Sequence, residues 1–193
     1  MSRALVVFAH PVPESFSASL HRKVVETLTA KGWEVDDCDL YAEGFNPVLS
    51  ADERRGYHEV PVNCSPVQSY VDRLQAADAL ILVFPVWNYG YPAILKGFFD
   101  RVFLPGVSFH MESGKVAPGL QNIRKLAAVT TYGGTRLRTF LAGDPPRKIV
   151  TRSLRFISQS GPTLYLALHD MNNATQGHRA AFLGRVQKAM ERF

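Results

Sequence analysis

The apolar positions of this chain follow two alternating rhythms. Unbroken apolar runs stand at 4–9 and 79–84, and another lies within 125–131. Runs of that length suit strands buried on both faces, as in a parallel sheet. Between them, apolar residues return every three or four positions, the period of one helix face. Leu20, Val24, Val25 and Leu28 form one such face, and Val67, Tyr70, Val71, Leu74 and Ala77 a second. Ile94, Leu95, Phe98, Phe99, Val102 and Phe103 form a third, and Phe182, Val186, Met190 and Phe193 the last. The pattern predicts five strands, at 3–9, 33–40, 79–84, 125–131 and 163–168. Glu34, Asp36 and Asp37 mark the second as the more polar, peripheral one.

Punctuation sets the helix limits. Lys31-Gly32 stops the first helix, and Ser65-Pro66 opens the next. Pro92 fits a first helical position, where its missing N–H is no loss. Residues 149–157 read as helical, and 175–193 as the final helix. Segment 41–61 reads as an irregular excursion with a short helix at 51–57. Segment 107–120 reads as a long loop, of a size that often covers a site or reaches a partner subunit. Strands alternating with helices predict one α/β domain over 1–193, with a doubly wound parallel sheet.

In such sheets ligands sit beyond the carboxyl ends of the strands. After strand one come His10, then Ser15, Phe16, Ser17, Ala18 and Ser19 at a helix start. Free amide groups, the helix dipole and hydroxyls together suit an anion. Simple N-capping by Ser15 or Ser17 explains the same residues. After strand three come Pro85, Val86, Trp87, Asn88, Tyr89, Gly90 and Tyr91. Flat aromatic side chains suit a flat ring system, and a strand–helix connection with hydrophobic filling is the plain alternative. After strand four, Thr130-Thr131-Tyr132-Gly133-Gly134-Thr135 offers either close backbone approach or a tight turn with φ > 0.

Composition narrows the classes. Apolar residues make up 46% and charged residues 20% of 193 residues, which is ordinary globular chemistry. The formal charge of +5 suits an anionic small molecule. Lys and Arg are scattered rather than clustered, which argues against nucleic acid. No apolar run approaches the ~20 residues of a membrane span, and the start lacks the plan of a signal peptide. Cys38 and Cys64 have neither metal spacing nor a disulfide framework, so they read as reduced thiols of a cytoplasmic protein. The adjacent pair His58-Glu59 lacks the spacing of a helical metal site. His169, at a strand end, reads as a structural or rim residue. No metal ligands and no obligatory acid, base or nucleophile emerge. Neither G-x-G-x-x-G nor a Walker loop occurs.

The stretch FPVWNYGYPAILKGFFDRVF, residues 84–103, resembles the signature of the flavin-dependent NAD(P)H:quinone oxidoreductases of flavodoxin-like fold. The match is tightest at 92–97 and 101–103. That resemblance implies a three-layer fold with five parallel strands in the order 2-1-3-4-5. It implies that Ala9, His10, Ser15 and Phe16 meet the phosphate end of a flavin. Residues 85–89 would wall the ring, and Thr131, Gly133 and Gly134 would present backbone N–H groups to its pyrimidine side, with Tyr132 inserted relative to the family. FMN is the expected cofactor and FAD the alternative. Val71 stands where the family has a flavin-contacting Gln, and the chain ends soon after its last helix. NAD(P)H is implied as co-substrate and a quinone-like molecule as acceptor. A homodimer is implied too, with Phe98, Phe99, Phe109 and Met111 supplying surplus apolar surface. A flavin-binding regulatory subunit remains open. So does a flavodoxin-type electron carrier, although the basic charge weighs against it.

Overall fold

The computed structural model describes residues 2–112 and 114–193. Five parallel strands form the sheet: β1 (Arg3–Phe8), β2 (Glu34–Asp39), β3 (Ala79–Val86), β6 (Lys125–Tyr132) and β7 (Leu164–Leu168). Their spatial order is β2-β1-β3-β6-β7, the expected order of the five strands. The polar strand β2 lies at one edge, as its charges require. Every residue of β3 is buried, because helices cover both faces of the sheet's centre.

The side-chain alternation divides the core in two. Leu5, Val7, Leu80, Leu82 and Phe84 face one layer, built on α3 (Gln68–Ala76) and α4 (Ala93–Val102). Ala4, Val6, Ile81 and Val83 face the other, built on α1 (Phe16–Ala30) and α8 (Gln176–Glu191).

Strand β3 runs two residues beyond its apolar run and includes Pro85. A proline cannot donate to a ladder, so it belongs at an edge. Here β1 ends at Phe8, opposite Val83, and leaves Pro85 paired on one side only, with Thr131.

Three expectations are corrected. Segment 107–120 is not a plain loop. It folds into an antiparallel hairpin of β4 (Phe109–Glu112) and β5 (Lys115–Pro118), and Gly114 takes φ +76° beside its turn. Residues 62–67 form a 3-10 turn containing Pro66, so α3 proper begins only at Gln68. The segment after Thr135 is helical sooner than expected. Thr135 caps α5 (Arg136–Leu141), and α6 (Pro145–Lys148) leads through a π-helical stretch, Ile149–Leu154, into α7 (Arg155–Ser158).

The excursion after β2 returns to the core through α4. A short helix, α2 (Ala51–Arg55), carries a complete capping box between Ser50 and Glu53. Arg101 of α4 is buried and pairs Nη2 with Glu53 Oε1 at 2.5 Å. Its Nη1 donates to the Asn46 carbonyl at 2.5 Å. Gly97, one turn earlier, lies directly beneath Pro47.

Candidate functional site

The loops after β1, β3 and β6 meet at the carboxyl edge of the sheet. They enclose a cleft of about 240 Å³ lined by His10, Ser15, Phe16, Ser17, Pro85, Val86, Trp87, Thr131 and Gly133. Two further residues, Met171 and Asn172, close it from the turn after β7. That turn lies outside the sequence expectation. The rule that points to the ends of strands one, three and four points equally to the end of strand five.

At the first wall, Ser15 is the N-cap of α1 and its Oγ accepts from the Ala18 N–H at 3.1 Å. Its O–H remains available as a donor. The first-turn N–H groups of Phe16 and Ser17 have no carbonyl one turn back to bond. Ser17 is buried and lines the cleft. Thus Ser15 both caps and borders the site, and Ala18 contributes only through that cap. The Nδ1 of His10 accepts from the Val12 N–H at 3.0 Å. A backbone N–H can only donate, so Nδ1 is unprotonated and a neutral ring carries its hydrogen on Nε2. Burial lowers the His10 pKa and favours that neutral donor.

The aromatic wall is a strained turn. Trp87 and Gly90 exchange both backbone hydrogen bonds, at 3.1 and 2.8 Å. Asn88 and Tyr89 sit between them at φ 49° and 58°. Two positive φ values identify a type I′ turn, in which Asn is at home and Tyr is not. Holding Tyr89 there costs about 1–2 kcal/mol, and such strain concentrates at working sites. Neither Asn88 nor Tyr89 lines the cleft itself. Trp87 and Tyr89 are both about two-fifths exposed, and the His10 ring meets Trp87 edge-on at 5.6 Å. The turn is anchored by Tyr91, whose hydroxyl donates to the Pro146 carbonyl at 2.7 Å.

The glycine pair does not adopt φ > 0, so the positive-φ turn is not the reason for these glycines. A Cβ on Gly133 would stand 3.4 Å from Asn172 Nδ2. One on Gly134 would stand 3.5 Å from the Tyr89 hydroxyl. That is an ordinary contact distance, so packing alone does not demand glycine at 134, and Gly134 does not line the cleft.

The side chain of Tyr132 faces away from the cleft. Strand alternation sends Thr131 toward the cleft and Tyr132 into the α3–α4 layer. The Tyr132 hydroxyl donates to Asp144 Oδ1 at 2.7 Å and lies 2.5 Å from the Tyr165 hydroxyl. Burial and the Asp144 carboxylate push the Tyr132 phenol up, so it stays protonated. His169 stacks on the Tyr132 ring with centroids 4.5 Å apart, which gives it the structural place expected of it. Val71 is buried in the core and takes no part in the site. Phe98 is fully buried among Phe45, Tyr70 and Phe103, so it supplies no surplus surface. Met111 is exposed as expected, and further exposed apolar side chains stand on α5, at Leu137, Phe140 and Leu141. Burial pushes the Cys38 thiol up to about 12, so it is inert at neutral pH.

The two histidines give a pH signature. Burial lowers the pKa of both His10 and His169. The unfolded chain takes up protons near pH ~6.5 that the folded one refuses. Stability present at neutral pH should therefore fall as the pH drops below about 6.5. Glu53 and Asp78, whose pKa values are also lowered, should act only below about 4.5. Thermal melts at about pH 7.5 and 5.5 should show a fall that shrinks in a His10→Asn/His169→Gln variant. An equal fall in both proteins would contradict this assignment.

Comparison with known proteins agrees with this architecture. A family model described as flavodoxin-like fold matches residues 2–159. NAD(P)H dehydrogenase [quinone] 1 of Rattus norvegicus is 36% identical over 147 residues, covering 68% of this chain and 54% of the relative. Ribosyldihydronicotinamide dehydrogenase [quinone] of Pongo abelii is 34% identical over 153 residues, covering 71% and 66%. The chain thus spans between half and two thirds of the length of these curated relatives. The crystal structure of Smu.1420 from Streptococcus mutans UA159 superposes with TM-score 0.87 at 29% identity, covering 99% of this chain and all of that one.

Proposed function

The chain belongs to the family of flavodoxin-like fold matched over residues 2–159, and on that premise we propose that it is an FMN-dependent NAD(P)H oxidoreductase acting on quinone-like acceptors. The observation that carries the reading is the convergence of four loops on one cleft with the donor set an FMN phosphate requires. Ser15 and Ser17 hydroxyls, open amides of the α1 first turn and the neutral His10 Nε2–H are all donors. A cleft of about 240 Å³ is below the ~300–1,000 Å³ of a complete ligand pocket. It suits the phosphate and its adjoining chain, with the flat ring lying against Trp87 and Tyr89.

Bound flavin supplies the two-electron chemistry, so the protein's task is to bind, orient and shield. Thr131 and Gly133 would border the polar edge of the ring, where the absence of a Cβ at Gly133 lets the backbone come close. Trp87 and Tyr89 leave one face open to a flat co-substrate and acceptor. FMN is favoured over FAD, because the donors of this cleft address a single phosphate end. We read the 193 residues as one flavin-binding unit and its working form as a homodimer, with exposed Met111, Leu137 and Leu141 as candidate contact surface.

The purified protein should take up one equivalent of FMN and quench its fluorescence at micromolar protein. Loaded with FMN, it should oxidise NADH or NADPH when a benzoquinone is supplied. Absence of quenching by both FMN and FAD would overturn the reading. Binding without turnover would reduce the protein to a flavin carrier.

A further inference from the structure

A second cleft, of about 360 Å³, lies beside β7 between α5–α6 and α8. Arg136, Arg147, Arg185, Thr139, Tyr165 and His169 line it. It is a neighbour of the first cleft in the chain as well as in space. Arg136 follows Gly133 at the turn after β6, and His169 precedes Met171 at the turn after β7.

Three guanidinium groups gather on this one cleft. Among the described residues, Arg136, Arg147 and Arg185 have no carboxylate oxygen within 4.0 Å. Asp144 is the one carboxylate in the lining, and its Oδ1 accepts from Tyr132. Two of the guanidinium groups are held on aromatic faces: Arg147 over Tyr165 at 5.7 Å and Arg185 over Phe182 at 5.0 Å. Such planes keep their N–H forks free and preset. The imidazole of His169 registers the resulting field. Burial lowers its pKa first, Arg136 lowers it further, and Asp144 opposes them ahead of a smaller lowering by Arg147. Phe140 stands exposed at the rim and offers a flat apolar face. Paired guanidinium forks with an aromatic rim suit a phosphorylated nucleotide, since Arg bonds phosphate in bidentate geometry.

We propose that this cleft binds the phosphate-bearing end of the reduced nicotinamide nucleotide and makes the chain selective for phosphorylated reductants. The proposal rests on the oxidoreductase reading above. It separates the chain from a relative named for ribosyldihydronicotinamide, a reductant without phosphate.

Two measurements test it on the FMN-loaded protein in phosphate-free buffer. Calorimetry should show saturable binding of 2′,5′-ADP or ADP, and at least about tenfold weaker binding to an Arg147→Gln/Arg185→Gln variant. Inorganic phosphate should bind at least about tenfold more weakly than either nucleotide, which separates a nucleotide site from a general anion site. In steady state the variant's KM for NADPH or NADH should rise about tenfold or more with little change in kcat. Its kcat/KM for dihydronicotinamide riboside should fall far less. Failure of both nucleotides to bind, equal binding to the variant, or equal losses on both reductants would overturn the proposal. Should neither reductant be turned over, the oxidoreductase reading fails, and the nucleotide titration still decides the cleft.

Discussion

Replacing Gly97 with Ala should destabilise the protein by roughly 2–3 kcal/mol, although alanine is the better helix former. Gly97 sits in the middle of α4, where glycine costs about 1 kcal/mol relative to alanine. That cost is offset by contact. A Cβ at this position would stand 2.5 Å from Pro47 Cα and nearer still to the Pro47 carbonyl oxygen. The obstacle is backbone, so no rotamer change relieves it. Nor can the segment retreat freely, because Arg101 holds the Asn46 carbonyl and Glu53 from the same helix. Urea unfolding should show a lower midpoint with an unchanged slope. A midpoint equal to or above wild type would mean that the excursion after β2 shifts away at no cost.

That glycine marks where the sequence is readable and where it is not. The Ala-Ile-Leu-Lys-Gly run announces an amphipathic helix, and Ile94, Leu95, Phe98 and Val102 are buried as their period requires. The reason for Gly97 is a contact with Pro47, fifty positions earlier, which no local pattern contains. The same division runs through the site. Strand runs and the composition of three loops located His10, Ser15, Ser17, Trp87, Thr131 and Gly133 in one cleft. Met171 and Asn172 escaped because nothing in their own chemistry distinguishes them, and only the sheet order brings them there. Asn88 and Tyr89 stand outside the cleft lining and build the turn beside it, through φ values that Asn advertises and Tyr conceals. Strand β6 continues one residue past its threonines, and alternation turns the Tyr132 side chain inward, away from the glycine turn. The hairpin at β4–β5 was hidden by Gly114 and Pro118, which mark turns without saying whether strands flank them.

Replacing Ser17 with Ala should weaken FMN binding about tenfold or more while leaving the stability of the flavin-free protein within about 0.5 kcal/mol of wild type. Two serines stand at the start of α1, and the structure gives them different duties. The Oγ of Ser15 accepts from the Ala18 N–H, so its loss removes an N-cap worth about 1 kcal/mol. Ser17 holds no capping bond, is buried, and lines the cleft. Its hydroxyl is free to serve a ligand, and a hydrogen bond to a charged acceptor contributes roughly 1.5–3 kcal/mol. Ser15→Ala should therefore lower both stability and affinity, and Ser17→Ala affinity alone. With both replaced, the affinity loss should approach about a hundredfold, because two donors to one phosphate are removed together. Fluorescence titration with FMN and thermal melts of the flavin-free proteins supply the two axes. A Ser17→Ala protein that melts lower yet binds FMN as tightly as wild type would show that the serines serve the helix and not the ligand. The phosphate end would then have to be sought elsewhere along the edge of the sheet.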